Sequence, residues 1–256
     1  MDDGFRFDNQ REYFVIPPRP AQDEDEDVYA PPKLPIDPLI VTGPRGTTMA
    51  SSICDLQCYF LRAAAHIFLY RFGPYDRLED FREREYLLVP YKFCKLEEVQ
   101  EYVDDSLTGI RDELRPLRVK EVSLSMVDED EASIIEANVE FYQTTKFFNR
   151  RIKRLNNKVL KKMEKKLRQA LLDLQRAPID EITAARLDTC PKRFVIKYAH
   201  LEHNADDWDD KEPPQGWERY WPTEGDAPSL VPWTDAILNE FNQMQFNIQT
   251  SPYPNE

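Results

Sequence analysis

The sequence predicts an α+β fold in which a small antiparallel sheet is covered by amphipathic helices. Three features support this fold class. Residues 119–127 and 133–142 alternate apolar with polar side chains, residues 96–114 repeat apolar side chains at helical spacing, and Lys146–Arg176 continues that spacing over a long run. A Pro-rich segment comes before them, for which we expect an extended N-terminal arm.

The alternating residues predict a β-hairpin over 119–142. Its apolar positions are Val122, Leu124, Met126, Ile135, Ala137, Val139 and Phe141. Polar residues stand between them, and the acidic run Asp128–Glu131 connects the two strands. Because successive strand residues point to opposite faces, the apolar side chains share one buried face, which the helix at 96–114 can cover.

Helices are predicted on both sides of a short extended piece. The first helix covers Ser51–Phe72 and ends at Gly73-Pro74, and a second, charged helix covers Tyr75–Tyr86. Leu87–Phe93 is the extended piece. The amphipathic helix that follows carries its apolar face on Leu96, Val99, Val103, Leu107, Ile110 and Leu114.

The second half of the chain begins with a helix predicted for Lys146–Arg176. At 1.5 Å per residue it would be about 45 Å long. Its apolar stripe is narrow, which is typical of a bundle or coiled-coil seam. Beyond it we predict a strand at Arg193–Ala199 and a last helix from Thr234 to about Phe246.

The first 45 residues contain eight prolines and the acidic run Asp23–Asp27. Proline fixes φ and removes an amide donor, so we expect this arm to be extended. Large apolar residues recur in it, including Tyr13, Phe14 and Val15. One interpretation is a disordered tail. We favour an arm that lies in grooves on a neighbouring subunit, because a solvated tail has little use for large apolar side chains.

These features divide the chain into four predicted segments. They are an acidic, Pro-rich arm at 1–45, an α+β core domain at 46–145, a basic amphipathic helix at 146–176 and an acidic, Trp-rich extension at 177–256. The basic helix carries 12 Lys and Arg residues against two Asp and Glu residues. Its pairing with an acidic protein surface is favoured over contact with nucleic acid, because the rest of the chain is acidic.

Composition limits the classes of protein that fit. The formal net charge is −13, which argues against a protein that coats nucleic acid. At 41% hydrophobic residues the chain can bury a core, so it is not wholly disordered. No signal peptide is visible, and charges interrupt the most apolar stretch, Ile53–Phe72, so we expect no membrane span.

Motifs for catalysis or for cofactor binding are missing from the sequence. There is no phosphate-binding glycine loop, no nucleophile elbow and no zinc-protease motif. Cys54 and Cys58 have no second closely spaced pair, so buried thiols are favoured over zinc. His200 and His203 are better explained by structural roles than by ligation. We therefore expect no enzyme activity, metal, cofactor or small-molecule substrate.

Two stretches resemble the baseplate-wedge and tail-sheath-initiator family of contractile-tailed phages. The first is Leu39–Gly46 followed by Cys54–Phe60, which resembles the family's aliphatic-Thr stretch, tight turn and Asp-Leu helix start. The second is Glu113-Leu114-Arg115-Pro116 between an amphipathic helix and a hairpin, where the family has Glu-Pro-Arg. The resemblance covers residues 39 to 143 and makes Asp55, Glu113 and Arg115 candidates for contacts with partners.

The resemblance implies a structural virion protein that joins a baseplate wedge and templates the first sheath ring. Its partners would be other tail or baseplate proteins and the sheath subunit, and its location the virion. We expect strand pairing at a free hairpin edge, near Val139 and Phe141. Helix pairing would use Ile152, Leu155, Val159, Met163 and Leu167. The alternatives are a neck or connector subunit, another virion assembly subunit, or a cytosolic scaffold or adaptor that dimerises through helix 146–176.

Overall fold

A computed structural model describes residues 13–15, 53–114, 116, 118–143, 157–200, 218–220, 229–238 and 242–250. These residues form an α+β fold, as the sequence predicts. The helices are α1 (Ile53–Phe72), α2 (Glu97–Leu114), α3 (Asn157–Arg176) and α4 (Glu181–Thr189). The strands are β1 (Tyr13–Val15), β2 (Phe81–Tyr86), β3 (Val89–Cys94), β4 (Val119–Val127), β5 (Ser133–Gln143), β6 (Arg193–His200), β7 (Glu218–Tyr220), β8 (Ser229–Leu238) and β9 (Asn242–Thr250).

Seven of these strands form one antiparallel sheet in the order β7-β1-β6-β4-β5-β9-β8. The remaining two, β2 and β3, form a separate hairpin. The large sheet takes strands from the predicted arm, the predicted core domain and the predicted C-terminal extension. Strands from before and after residue 145 therefore belong to the same sheet.

The predicted hairpin is confirmed as β4 and β5, with Val122 opposite Val139. Its edges are not free, however. Val122 also pairs with Tyr198 of β6, and Val139 pairs with Phe246 of β9. The expectation that this hairpin offers an edge to another subunit is wrong, because strands from the same chain cover both sides. The Val139 and Phe141 side chains are buried in the core.

The helices cover the apolar face of the sheet, and α1 is the most deeply buried of them. It contacts α2, α3 and β3, and nearly all of its side chains are buried. Arg62 in α1 donates to the Asp104 carboxylate in α2 at 2.7 Å, and both side chains are about 9% exposed. Arg71 donates to the carbonyls of Leu174 and Ala177 at the end of α3. These charged contacts join α1 to α2 and to the end of α3.

Two predicted helices are strands in the structure. The segment Tyr75–Tyr86 contains a turn and β2, and β2 pairs with β3 through a turn at Leu87 and Leu88. Both leucines have positive φ, 51° and 62°, which suits a tight hairpin turn. Arg168 of α3 donates to the Leu87 carbonyl at 2.6 Å and holds this turn against the helix layer.

The second wrong helix is the one predicted from Thr234, where the structure has β8 and β9. Met244, Phe246 and Ile248 alternate with polar residues, and this period of two is the signal of the strand. The helix expected at 146–176 is present as α3 from Asn157, and residues 146–156 lie outside the described part. The short helix α4 was not expected, although Asp180 caps it by accepting from the Thr183 amide at 2.8 Å.

Candidate functional site

A three-residue strand from the start of the chain lies between two strands from its second half. Tyr13, Phe14 and Val15 of β1 lie opposite Ala199, Tyr198 and Lys197 of β6. On the other side the same residues lie opposite Tyr220, Arg219 and Glu218 of β7. We call the place of β1 between β6 and β7 the strand slot. An extended segment in this slot can form main-chain hydrogen bonds on both sides.

The strand β6 forms one wall of the slot, and both of its faces are anchored. On the helix face, the Phe194 ring lies 6.0 Å from Phe68 and 6.1 Å from Tyr102, measured between ring centroids. On the opposite face, Lys197 is 3% exposed and its ammonium lies 3.4 Å from the Glu136 carboxylate. Because side chains on both faces are held by these contacts, β6 has a fixed orientation. Its outer edge therefore presents its main-chain groups to a neighbouring strand.

Tyr102 of α2 closes one end of the slot. Its hydroxyl accepts a hydrogen bond from the Ile196 amide at 2.9 Å. In an antiparallel pair this amide would bond to the residue after Val15, so the hydroxyl takes the place of the next strand contact. Burial raises the pKa of Tyr102 to about 12, so the hydroxyl stays protonated at neutral pH. At this end, strand pairing with β6 therefore stops at Val15.

The other end of the slot lies beside a small group of titratable side chains. Burial raises the pKa of Tyr198 above its usual range, and the Glu113 carboxylate adds to the rise. Burial also lowers the pKa of His200 to about 4, with a further contribution from Arg118. Arg118 lies 3.6 Å from Glu113. Near neutral pH the tyrosine and the histidine are thus both uncharged, while the Glu113–Arg118 ion pair lies beside them.

The face of the sheet opposite to the helices is polar and nevertheless buried. Glu136 accepts hydrogen bonds from Ser125 at 2.7 Å and from Ser133 at 3.1 Å, in addition to its ion pair with Lys197. Burial acts to raise the pKa of Glu136, but the Lys197 charge and these hydrogen bonds outweigh it, so the pKa is lowered. The alternation of apolar and polar residues in β4 and β5 predicted that one face of the sheet is buried. In the structure, side chains on both faces are buried.

The predicted partner contacts are scattered rather than gathered at one place. Asp55 is half-buried in the first turn of α1, and Glu113 lies near the slot at the end of α2. Met163 and Leu167 are buried in the core of their own chain. They do not form a surface seam in this structure, because α3 packs this stripe inward.

Other predicted contact residues cannot be placed in this way. Arg115, Ile152 and Leu155 lie outside the described residues. Val159 belongs to α3, but its side chain is outside the described part. The partner-binding role of these residues stays a prediction.

Sequence reasoning missed the strand slot itself. A signal was present in the β-favouring run from Tyr13 to Ile16, which stands between Glu12 and Pro17. The arm was expected to lie on a neighbouring subunit. In the structure its described residues lie on the sheet of the same chain instead.

The described residues contain no group of three or more His, Cys, Asp or Glu side chains arranged to hold a metal ion. Cys54, Cys58, Cys94 and Cys190 are free thiols. Among the helices that the structure describes, none has the length and apolar character needed to cross a membrane.

Several solved structures have the same fold. A chain of a mitotic checkpoint complex superposes with a TM-score of 0.54 at 11% identity, covering 78% of this chain and 98% of that one. HTP-2 bound to an HTP-3 motif gives 0.52 at 10% identity, covering 77% and 89%. C. elegans HTP-2 bound to a HIM-3 closure motif gives 0.51 at 10% identity, covering 81% and 95%. The chain shares the fold of these HORMA-domain proteins.

No protein-family model matches the sequence, and no curated protein matches it. The structural neighbours overturn the expected role in a contractile tail, together with the virion location and the tail, baseplate and sheath partners. The helix-then-hairpin order behind that resemblance is present in this fold too, as α2, β4 and β5. Element order alone therefore did not distinguish the two folds.

The Tyr102 hydroxyl offers a direct test of the slot's closed end. Tyr102→Phe should lower the free energy of unfolding by about 1 kcal/mol and speed hydrogen exchange of the Ile196 amide, because that amide loses its acceptor. Urea denaturation and hydrogen exchange would measure the two effects. Tyr70→Phe is the matched control, since the Tyr70 ring packs on Phe81 at 5.1 Å. Unchanged exchange at Ile196 would contradict this account.

The Glu136 ion pair predicts a dependence of stability on pH. Because folding lowers the pKa of Glu136, its contribution is present above the ordinary Glu value of 4.5 and is lost as pH falls through the folded pKa. At neutral pH, Glu136→Gln should lower the free energy of unfolding by about 3 kcal/mol. The difference from the wild type should narrow as pH falls below 4.5 and through the lowered pKa of Glu136. Urea denaturation across this range measures the gap.

The control for that experiment is Glu83→Gln. Glu83 lies 3.0 Å from Lys92 in a pair whose side chains are 78% and 38% exposed. This change should cost less than about 1 kcal/mol. A gap between Glu136→Gln and the wild type that stays constant with pH would show that the Glu136 charge is not stabilising.

Proposed function

We propose that this protein is an adaptor that binds an extended segment of a partner protein in the strand slot, without catalysing a reaction. The observation that carries the proposal is the position of β1, which pairs on one side with β6 and on the other with β7. A strand enclosed in this way gains main-chain hydrogen bonds that depend little on its side chains. The slot can therefore serve a segment from another protein.

The closed end of the slot favours binding of short segments. Because the Tyr102 hydroxyl already occupies the Ile196 amide, the strand in the slot need supply only three paired residues. Affinity then comes from main-chain contacts on both sides, and side chains set the preference among segments.

The fold gives independent support. HTP-2, which shares the fold, has been solved bound to a closure motif of HIM-3 and to a motif of HTP-3. Binding of short motifs from other proteins is therefore known in proteins of this architecture. An adaptor also agrees better with this fold than a virion subunit does. Dimerisation through α3 is less supported, because its described apolar residues are buried in the chain's own core.

Peptide selection on the immobilised full chain tests the proposal. A displayed library of random peptides of about 12 residues should yield binders that share a short β-favouring core. Each binder would then be resynthesised with a single N-methyl group at successive positions. Methylation removes one main-chain donor, so it should weaken binding at least about tenfold at each of three consecutive positions.

The pattern of sensitivity distinguishes the possible binding modes. Three consecutive sensitive residues indicate a strand bonded on both sides, because neighbouring amides point to opposite walls. Sensitivity at every second residue would indicate addition to a single open edge. Methylation outside the three residues is the internal control and should change affinity less than about twofold. Failure to select any binder, or binders insensitive to methylation, would contradict the proposed function.

A further inference from the structure

We propose that the chain's own segment Tyr13–Val15 is an intramolecular ligand of the strand slot, which a partner segment must displace. This inference rests on the proposed function and names both the ligand class and its regulation. In the structure the slot is already filled by β1. A partner that needs the same main-chain groups of β6 and β7 cannot bind while β1 stays in place.

The strand β1 is suited to leave without unfolding the rest of the protein. It pairs with each neighbour over only three residues, whereas β4 pairs with β6 along nearly its whole length. Short terminal strands open at a small part of the global free energy of unfolding. Ile196 and Tyr198 of β6 belong to the apolar core that the helices cover, so β6 is held by contacts other than those with β1.

The connection to the body of the protein favours binding within one chain. Thirty-seven residues separate Val15 from Ile53, the first residue of α1. Because the segment is covalently linked to the slot, its binding is intramolecular, and a tethered ligand that can reach its site has an effective concentration on the order of millimolar. The chain's own segment therefore outcompetes the same segment of a second copy at ordinary micromolar protein concentrations.

The sequence of the segment defines the kind of partner that can replace it. The residues of β1 are Tyr, Phe and Val, all of which favour strands. In the sequence, Pro17 and Pro18 follow after one further residue. Prolines lack the amide that a continuing strand would use. The expected partner segment thus has three aromatic or β-branched residues and shortly afterwards a proline.

The experiment uses the full chain and a fluorescein-labelled synthetic peptide with the sequence of residues 9–20. Phe14→Pro removes the amide at the centre of β1 and should release the segment from the slot. Tyr198 hydrogen exchange should then become faster, since its amide faces β1. Fluorescence polarisation should show the peptide binding Phe14→Pro at least about tenfold more tightly than the wild type, because its slot is no longer occupied.

Two further variants make the result interpretable. Phe5→Pro places a proline elsewhere in the arm and should leave exchange and binding as in the wild type. Phe14→Gly weakens the strand more gently and should shift both measurements in the same direction as Phe14→Pro. If Phe14→Pro does not show the native circular dichroism spectrum, Phe14→Gly serves as the test variant in its place.

Several outcomes would overturn the inference. These are unchanged exchange at Tyr198 in both Phe14 variants, equal affinity of the peptide for wild type and variants, or a wild-type dimer that Phe14→Pro converts to a monomer. The last result would mean that a second copy fills the slot. If library-selected peptides bind the variants but the 9–20 peptide does not, this inference fails while the proposed function stands. If neither binds, the proposed function fails.

Discussion

The structure depends on one constraint, which is that every strand in the middle of the sheet must be paired on both sides. The hairpin β4–β5 meets this requirement within the chain, with β6 on one side and β9 on the other. The next strand, β6, also needs partners on its outer edge. It pairs there with β1, and its Ile196 amide donates to the Tyr102 hydroxyl. Exposed main-chain groups at such an edge attract any extended segment, so the same constraint that stabilises the sheet also creates a binding position.

Much of the fold could be predicted from the sequence because its signals are local. The alternation in β4 and β5 and the apolar stripe of α2 are visible because the apolar side chains of each element pack into the same core. The errors have equally local causes. The charged residues of β2 hide a strand pattern, the helix prediction from Thr234 overlooked the period of two in β9, and two leucines at positive φ make a turn without glycine. The polar face of the sheet looked solvent-exposed because Ser125 and Glu136 are polar, although Lys197, 61 positions away from Glu136, neutralises it.

The candidate site could not be predicted because pairing between distant strands leaves no trace in local patterns. The run from Tyr13 to Val15 has the composition of a strand, but nothing near it in sequence says which edge it joins. Tyr102 lies on the amphipathic helix, and no local sequence pattern distinguishes it from its neighbours. Its contact with Ile196 exists only in the folded chain. Element order suggested a different family for the same reason, since helix followed by hairpin is shared while the strand order across the sheet is not visible in the sequence.

Disulfide trapping tests the strand slot most directly. Since the Ile196 amide faces the outer edge, Tyr13 and Ala199 form a non-hydrogen-bonded pair with Cα atoms about 4.5 Å apart, close enough for a disulfide. The account predicts that Tyr13→Cys combined with Ala199→Cys gives an intramolecular disulfide under mild oxidation, seen by mass spectrometry of the non-reduced protein, and that neither single variant does. A folded double variant that forms no bond between these positions, or only bonds between chains, would contradict it.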